Sequence, residues 1–503
     1  MTEHPPPPGE AILTLDVLIV GAGLSGIGAA VQLQRACPGK RYAILEARSS
    51  LGGTWDLFRY PGVRSDSDMH TLGYRFKPWT APKAIADGAA ILAYVRETAD
   101  ENGVAKHIRF GSKAVAASWS SVDACWTVTV DDVSASAPGR PGATPTLVRA
   151  RFLYCCSGYY SYDEAYRPRF DGEESFQGEL VVPQFWPKDV DYAGKRVVVI
   201  GSGATAVTIV PSMAHTAAHV TMLQRTPTYV ITRPAEDKLA HRLQRVLPAG
   251  LAYAATRWKN VLISMFYYRL ARSRPHVVKQ RLVQMAAQQI GPGVDASHFT
   301  PNYKPWDQRV CVVPDGDLFR ALRDGRATVV TDTIARFTPV GILLGSGPEL
   351  PADVVVVATG LALKVLGGIA ISVDGRPFDA SGAMAYKGMM LSELPNFAMA
   401  FGYTNASWTL KADLTAGYVC RLLNYMDRRG VQIAVARRQA GVESLPFLNF
   451  TSGYVQRAAH LLPSQGSRRP WQVYQNYVQD LLTIRYGRID DGVMRFGTKG
   501  QLP

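Results

Sequence analysis

Two stretches of this chain carry residue types that bind phosphate through the main chain. Val17 to Gly26 reads VLIVGAGLSG, and 180 residues later Val197 to Ala206 reads VVVIGSGATA. In each, an apolar run enters a Gly-x-Gly-x-x-Gly/Ala turn and an Ala-rich helical run follows. The key positions are Gly21, Gly23 and Gly26 in the first copy and Gly201, Gly203 and Ala206 in the second. The first Gly permits a tight turn, and the second lets the backbone approach a pyrophosphate. The third position lets helix pack on strand, and the helix N-terminus offers free N–H groups to the anion. Ser25 lies in the first loop, and Ser202, Ala204 and Thr205 complete the second. Two such loops in one chain predict two nucleotides.

The ends of the second strands tell the two sites apart. The first unit runs through Tyr42-Ala-Ile-Leu to Glu46, and an acidic side chain about twenty residues beyond the glycines accepts hydrogen bonds from ribose hydroxyls. The second runs through Val220 to Gln224 and meets Arg225 and Thr226. A carboxylate there would repel a 2′-phosphate, whereas an arginine fork attracts it. The first site therefore reads as one for FAD and the second as one for NADPH.

Such loops work only between a strand and a helix, so the expected fold is α/β, with two Rossmann-like dinucleotide-binding domains (FAD and NADPH) and a helical insertion. The expected divisions are a disordered tail over 1–12, a first part of the FAD domain over 13–160 and a linker over 161–194. An NADPH domain over 195–340 follows, with the insertion at 235–300, and 341–503 returns to the FAD domain. The chain has 503 residues, 47% apolar and 19% charged, enough for large cores. Helix is expected at 91–103 and strand at 107–119, 126–133 and 147–156, with an exposed hairpin loop at 134–146. Strands around 327–333, 341–344 and 354–359 are expected to rebuild the FAD-domain sheet, and the small-residue turn Thr359-Gly360 after the last of them suggests a crossing between the domains. A tail helix is expected to carry Trp471, Tyr474, Tyr477, Val478 and Leu481 on one core-facing stripe.

The formal charge of +14 fits nucleic acid, anionic lipid or acidic cofactors. With no long Lys/Arg block and no nucleic-acid motif, nucleic acid is set aside and solvated basic faces are preferred. In the insertion, Trp258, Val261, Leu262, Met265 and Phe266 fall at helical spacing, flanked by Arg257, Lys259, Arg269, Arg272 and Arg274. A stripe of this kind lies on a membrane surface or packs on its own domain, and packing is favoured. Six cysteines, without CxxC or zinc spacing, read as reduced cytosolic thiols. No signal-peptide h-region or membrane-spanning apolar run is found. The expected location is cytoplasmic, with peripheral membrane contact left open.

Between the two loops stand Gly53, Trp55, Tyr60, Pro61, Gly62 and Asp66, spaced as G-x-W-x4-Y-P-G-x3-D. This string resembles the signature of flavoprotein Baeyer–Villiger monooxygenases, a branch of the flavin-containing monooxygenases. Its continuation from Ser67 to Trp79 and the run Gly402 to Asp413 are similar to the ethionamide-activating subgroup. The resemblance covers roughly residues 15 to 497. It implies an enzyme in which NADPH reduces FAD and O2 forms a C4a-(hydro)peroxyflavin. That species inserts oxygen into ketones, giving esters or lactones, and oxidises sulfides and thioamides. It also implies that Arg309 is the active-site arginine and that Asp66 orients it and the nicotinamide. Thr54, Trp55, Asp66 and Ala114 join the loop residues as expected cofactor contacts.

The family's linker fingerprint, Phe-x-Gly-x3-His-x3-Trp, is matched by Phe176, Gly178 and Trp186, but Val182 stands at the histidine position. Valine offers no ring nitrogen or titratable proton, so a mainly sulfoxidising enzyme or an uncoupled NADPH oxidase is carried as the alternative. A redox-sensing nucleotide-binding protein without turnover is a further one.

Overall fold

The computed structural model describes residues 14–133 and 145–503, so the tail at 1–12 and most of the 134–146 loop lie outside the described residues. The strand Thr14–Val20 pairs in parallel with Tyr42–Leu45 on one side and with Thr146–Cys155 on the other. Its residues alternate as a strand buried on both faces must. Val17 and Ile19 enter the core under helix Leu24–Ala36, while Leu18 and Val20 join Trp119 and Trp126 on the opposite face. The sheet has nine strands. Thr146–Cys155 changes partners along its length: its first half pairs antiparallel with Cys125–Asp132, and its second half pairs in parallel with Phe397–Met399. Helix Gly88–Glu101 and the strands Ser112–Ser120 and Cys125–Asp132 stand where the sequence places them, within a few residues.

A second sheet holds five parallel strands, in the order Ala327–Thr331, His219–Gln224, Arg196–Ile200, Val354–Val357, Glu179–Val181. Two of the strands expected to rebuild the first sheet therefore belong here. Val354–Val357 is central in the second sheet, and Gly341–Leu344 lies in a three-stranded antiparallel sheet beside it. A division at 340/341 would cut through this unit. An apolar strand that ends in a small-residue turn looks the same in either sheet, and only its hydrogen-bond partners decide. The chain rejoins the first sheet at Ala370–Val373, which pairs with Ser112–Ser120.

The connections at Ser157-Gly158 and Thr359-Gly360 run side by side. Ser161 N–H donates to Ala362 O at 2.7 Å and Lys364 N–H to Tyr159 O at 3.0 Å. The linker is not featureless, since its Glu179–Val181 is the edge strand of the second sheet. A Cβ on Gly178 would lie 2.5 Å from Asp353 O, which is why the fingerprint requires glycine there.

The insertion comprises helices Lys238–Val246, Ala249–Ser273 and Pro275–Ile290. The long helix packs Tyr253 and Val261 into the first core, and the last packs Ala286 and Ile290 into the second. The expected stripe divides. Val261 is buried and Met265 packs behind it, but Trp258, Leu262 and Phe266 are exposed. Arg257, read as a solvent flank, is buried. Its Nη1 donates to the carbonyls of His70 and Gly73, both at 2.8 Å, and its Nη2 reaches Asp413 at 3.4 Å. The tail helix is shorter than expected. A single turn at Tyr477–Asp480 passes into a π turn at Leu481–Arg485, and Trp471, fully buried against Tyr386, precedes it in a turn closed by its N–H on Arg468 O at 3.0 Å. No helix among the described residues is long and apolar enough to cross a membrane.

Arg257 holds the insertion to the first unit, and its removal would take its charge partner from Asp413 and a donor from the carbonyls of His70, Thr71 and Gly73. Arg257→Ala is expected to destabilise the protein by about 3–5 kcal/mol in denaturant unfolding, with amide exchange across 249–273 accelerated first. Unchanged exchange there would assign the docking of the helix to its apolar contacts alone.

Candidate functional site

The first glycine loop, the Gly52–Trp55 turn and the paired crossings surround one elongated cavity of about 420 Å³. Its walls include Gly21, Gly23, Ser25, Glu46, Thr54, Trp55 and Ala114, together with Asp66 and Arg309. Gly21, at φ 103°, has room for a hydrogen only: a Cβ would lie 2.6 Å from Cys156 O. Gly53 also comes close to Gly23, where a Cβ would lie 3.0 Å from its Cα. Backbone thus meets backbone, which leaves a cradle sized for an anion at the start of helix Leu24–Ala36. Gly26 does not line the cavity. A Cβ there would lie 1.9 Å from Gly21 O, so its part is the close packing of helix on strand.

Glu46 is buried, with Oε2 accepting from Ala22 N–H at 2.8 Å and Oε1 from Arg48 N–H at 3.0 Å. Burial raises its pKa. The two bonds fix the carboxylate beside the loop, and each oxygen keeps acceptor capacity for a hydroxyl. Trp408 stacks on Tyr159, with ring centroids 5.3 Å apart, and its Nε1 donates to Ser25 Oγ at 2.7 Å.

In the second unit, Ala204 and Thr205, at the start of helix Ala204–Met213, reach the same cavity. Gly201, Ser202, Gly203, Ala206, Arg225 and Thr226 do not line it. Gly201, at φ 133°, approaches Ala358 O, where a Cβ would lie 2.4 Å away, and Gly203 faces open space. Ser202 Oγ donates to Thr226 O at 3.1 Å, tying the glycine loop to the strand end. Ala206 is fully buried beneath its helix. Arg225 is exposed and forms no ion pair among the described residues.

Asp66 and Arg309 meet although 243 positions separate them: Arg309 Nε lies 2.7 Å from Asp66 Oδ2, and Nη2 lies 3.2 Å from Oδ1. The Asp66 carboxylate pushes the guanidinium's pKa above arginine's already high range, so it stays charged at any working pH. Gly62 makes the meeting feasible. At φ 75° it presses on helix Ala204–Met213, where a Cβ would lie 1.8 Å from Ser212 Oγ. On either side of it, Tyr60 lies against Thr205 and Arg64 pairs with Asp317. Beyond the ion pair is a smaller chamber of about 80 Å³, walled by Asn260, Val261, Ser264 and Met265 of the insertion and by Trp306, Tyr403 and Tyr477. Val182 is half-buried in the linker and lines neither space.

Residues 81–364 match the model of the flavin-binding monooxygenase-like family, and residues 19–80 match that of an NAD(P)-binding Rossmann-like domain. The chain is 53% identical over 502 residues to the FAD-containing monooxygenase EthA of Mycobacterium tuberculosis, covering 99% of each. The chain belongs to the flavin-binding monooxygenases. It is also 46% identical to the probable FAD-binding monooxygenase AlmA of Acinetobacter baylyi, over 96% of each chain. In fold this monooxygenase is similar to a steroid monooxygenase solved with NADP. That likeness has a TM-score of 0.74 at 23% identity and covers 96% of this chain and 100% of that one.

One group in the monooxygenase was not singled out from sequence. Lys411 Nζ and Tyr403 Oη both donate to Asp480 Oδ2, at 2.7 and 2.6 Å, in a pocket that buries all three residues. Burial pushes Asp480 up and Lys411 down, and their mutual attraction opposes both shifts. Tyr403 is a wall of both cavities, so this buried pair fixes the position of a site residue. Asp480→Asn is expected to cost about 3–5 kcal/mol, because it strands a buried ammonium. Adding Lys411→Met should recover much of the loss in urea titrations, whereas equal loss in the single and double variants would show that the pair's charge is not what matters.

Proposed function

We propose that this monooxygenase is of the Baeyer–Villiger type, taking FAD in the large cavity and NADPH at the second glycine loop. Its substrates would be ketones, oxidised to esters or lactones, and sulfide or thioamide sulfur. The observation that carries this reading is the Asp66–Arg309 ion pair, set between a nucleotide cavity and a small, partly apolar chamber. The names of the relatives, FAD-containing and FAD-binding monooxygenases, support the flavin, and the steroid monooxygenase solved with NADP supports the nicotinamide.

The residues fit both cofactors. The Gly21, Gly23 and Gly53 cradle suits a pyrophosphate, and Glu46 suits the ribose. Exposed Arg225, next to Thr226, suits a 2′-phosphate, which a bidentate guanidinium recognises better than a point charge. FAD, when bound, supplies the redox chemistry: it accepts hydride from NADPH and activates O2 for transfer to the substrate. The chain supplies position, charge and dryness. Asp66 holds Arg309 through Nε and Nη2, which leaves Nη1 clear of the carboxylate. A permanently charged donor fixed in this way stabilises negative charge developing on oxygen, without reorganising as the charge appears. Arg309→Ala is therefore expected to be bleached by NADPH under argon as the parent is, and to lose roughly 100-fold or more of its oxygenated product. Oxygenation at the parent rate would remove Arg309 from the mechanism.

Val182 favours a second reading, in which sulfoxidation or unproductive NADPH oxidation outweighs oxygen insertion. Because the side chain lines neither cavity, its influence would pass through the linker, whose strand Glu179–Val181 edges the second sheet. Val182→His is expected to raise the yield of ester relative to peroxide per NADPH consumed. An unchanged ratio would clear the linker of responsibility.

A further inference from the structure

The insertion gathers most of the chain's excess charge. Residues 238–294 contain ten Lys and Arg and no Asp or Glu, which leaves 45 basic against 41 acidic residues elsewhere. The same region gathers exposed apolar side chains. Of the twenty large ones exposed among the described residues, ten lie between Leu239 and Val277. On helix Ala249–Ser273 they are ordered. Leu251, Trp258, Leu262 and Phe266, exposed by 61, 40, 53 and 62%, recur at steps of seven and four and form one stripe, which Arg269 continues. Lys238, Arg242, Arg245, Arg269 and Arg274 make no ion pair with a carboxylate among the described residues, whereas Lys259 pairs with Asp237 and Arg272 with Asp307.

We infer that this face docks on an anionic lipid surface. An exposed apolar stripe in a segment rich in unpaired cations is the composition that lies in a bilayer interface, with the aliphatic and aromatic groups among acyl chains and the guanidinium groups at the phosphates. Scattered single apolar side chains would need no explanation, but a contiguous stripe marks a contact surface. A second copy of the chain fits poorly. Two-fold pairing sets a patch against itself, and a patch without carboxylates would oppose cation to cation. The opposite face of the same helix, through Asn260, Val261, Ser264 and Met265, walls the chamber beside Arg309, so docking would bring that chamber to the lipid. The binding itself does not depend on the reaction assigned above.

The test is sedimentation of the full-length flavoprotein with vesicles of phosphatidylcholine alone or containing phosphatidylglycerol, at low and high salt. The parent should pellet with the anionic vesicles, at least fivefold above the neutral ones, and salt should release it. Leu262→Ser with Phe266→Ser should lower the pelleted fraction at least fivefold at unchanged flavin content. Arg242→Glu, Arg245→Glu and Arg269→Glu together should abolish the preference for the anionic lipid. A parent that stays in the supernatant with anionic vesicles at low salt would overturn the inference, as would serine variants that pellet like the parent. So would a dimer, seen by light scattering, that the serine variants dissociate, since the face would then belong to a second copy.

Discussion

An arginine carried by one nucleotide-binding unit is held by an aspartate carried by the other, and the site exists only where the two meet. Arg309 precedes the strand Cys311–Pro314, whose Cys311 and Val313 belong to the second core. Asp66 ends a loop that leaves the first. The bond is short and half-buried, so it is weakened less by solvent than a surface pair would be. It forms because the loop from Tyr60 to Asp66 lies flat on helix Ala204–Met213. A side chain at Gly62 would lift that loop by the width of a methyl group. Tyr60 against Thr205 and Arg64 with Asp317 then hold it on both sides of the glycine.

The relative position of the units is thus set by few connections. Two chain crossings run antiparallel to each other, and the insertion spans the gap, its long helix in the first core and its last helix in the second. An arrangement with two narrow crossings and one bridging hairpin of helices can adjust at its joints without disturbing either sheet. The linker belongs to this mechanical system. Its edge strand is hydrogen-bonded to Val354–Val357, the strand that feeds the second crossing, and Val182 directly follows that edge strand.

Much of this could be read in the residues. The glycine loops were legible because the geometry they need is local: Gly21 and Gly201 sit at positive φ against the next crossing strand, and no other residue type would fit. Glu46 could be placed beside its loop because it follows a strand at a fixed distance from the glycines, and it lines the cavity; Arg225 follows the corresponding strand of the second unit and is exposed there. Strand membership was not. Four valines at 354–357 announce burial on both faces but not their neighbours, and they turned out to pair with Arg196–Ile200. The Lys411–Asp480 pair was hidden for a similar reason: it joins a helix to a turn 69 positions away, and nothing in either stretch points to the other. Periodicity likewise misjudged the tail, where aromatic spacing suggested one helix and the chain instead buries Trp471 from a turn.

The long helix of the insertion was misjudged for a more instructive reason. A helical stripe is ordinarily read with its apolar side inward, but this helix covers the one-turn helix Met69–Leu72, whose carbonyls have no partners within so short an element. Arg257 donates to the carbonyls of His70, Thr71 and Gly73, and Asn260 bonds Asp68, its N-cap. The inward side must therefore be polar at these turns. That requirement accounts for the buried arginine, but it does not account for what faces out. Alanine, lysine or glutamine would serve on the outer side at no cost to the packing, and the exposed Ala254 and Ala255 show that they are tolerated there. Leu262 and Phe266 on that stripe, with Asp and Glu absent from residues 238–294, are not explained by the inversion, whereas Trp258 also packs on Tyr477, with ring centroids 5.7 Å apart.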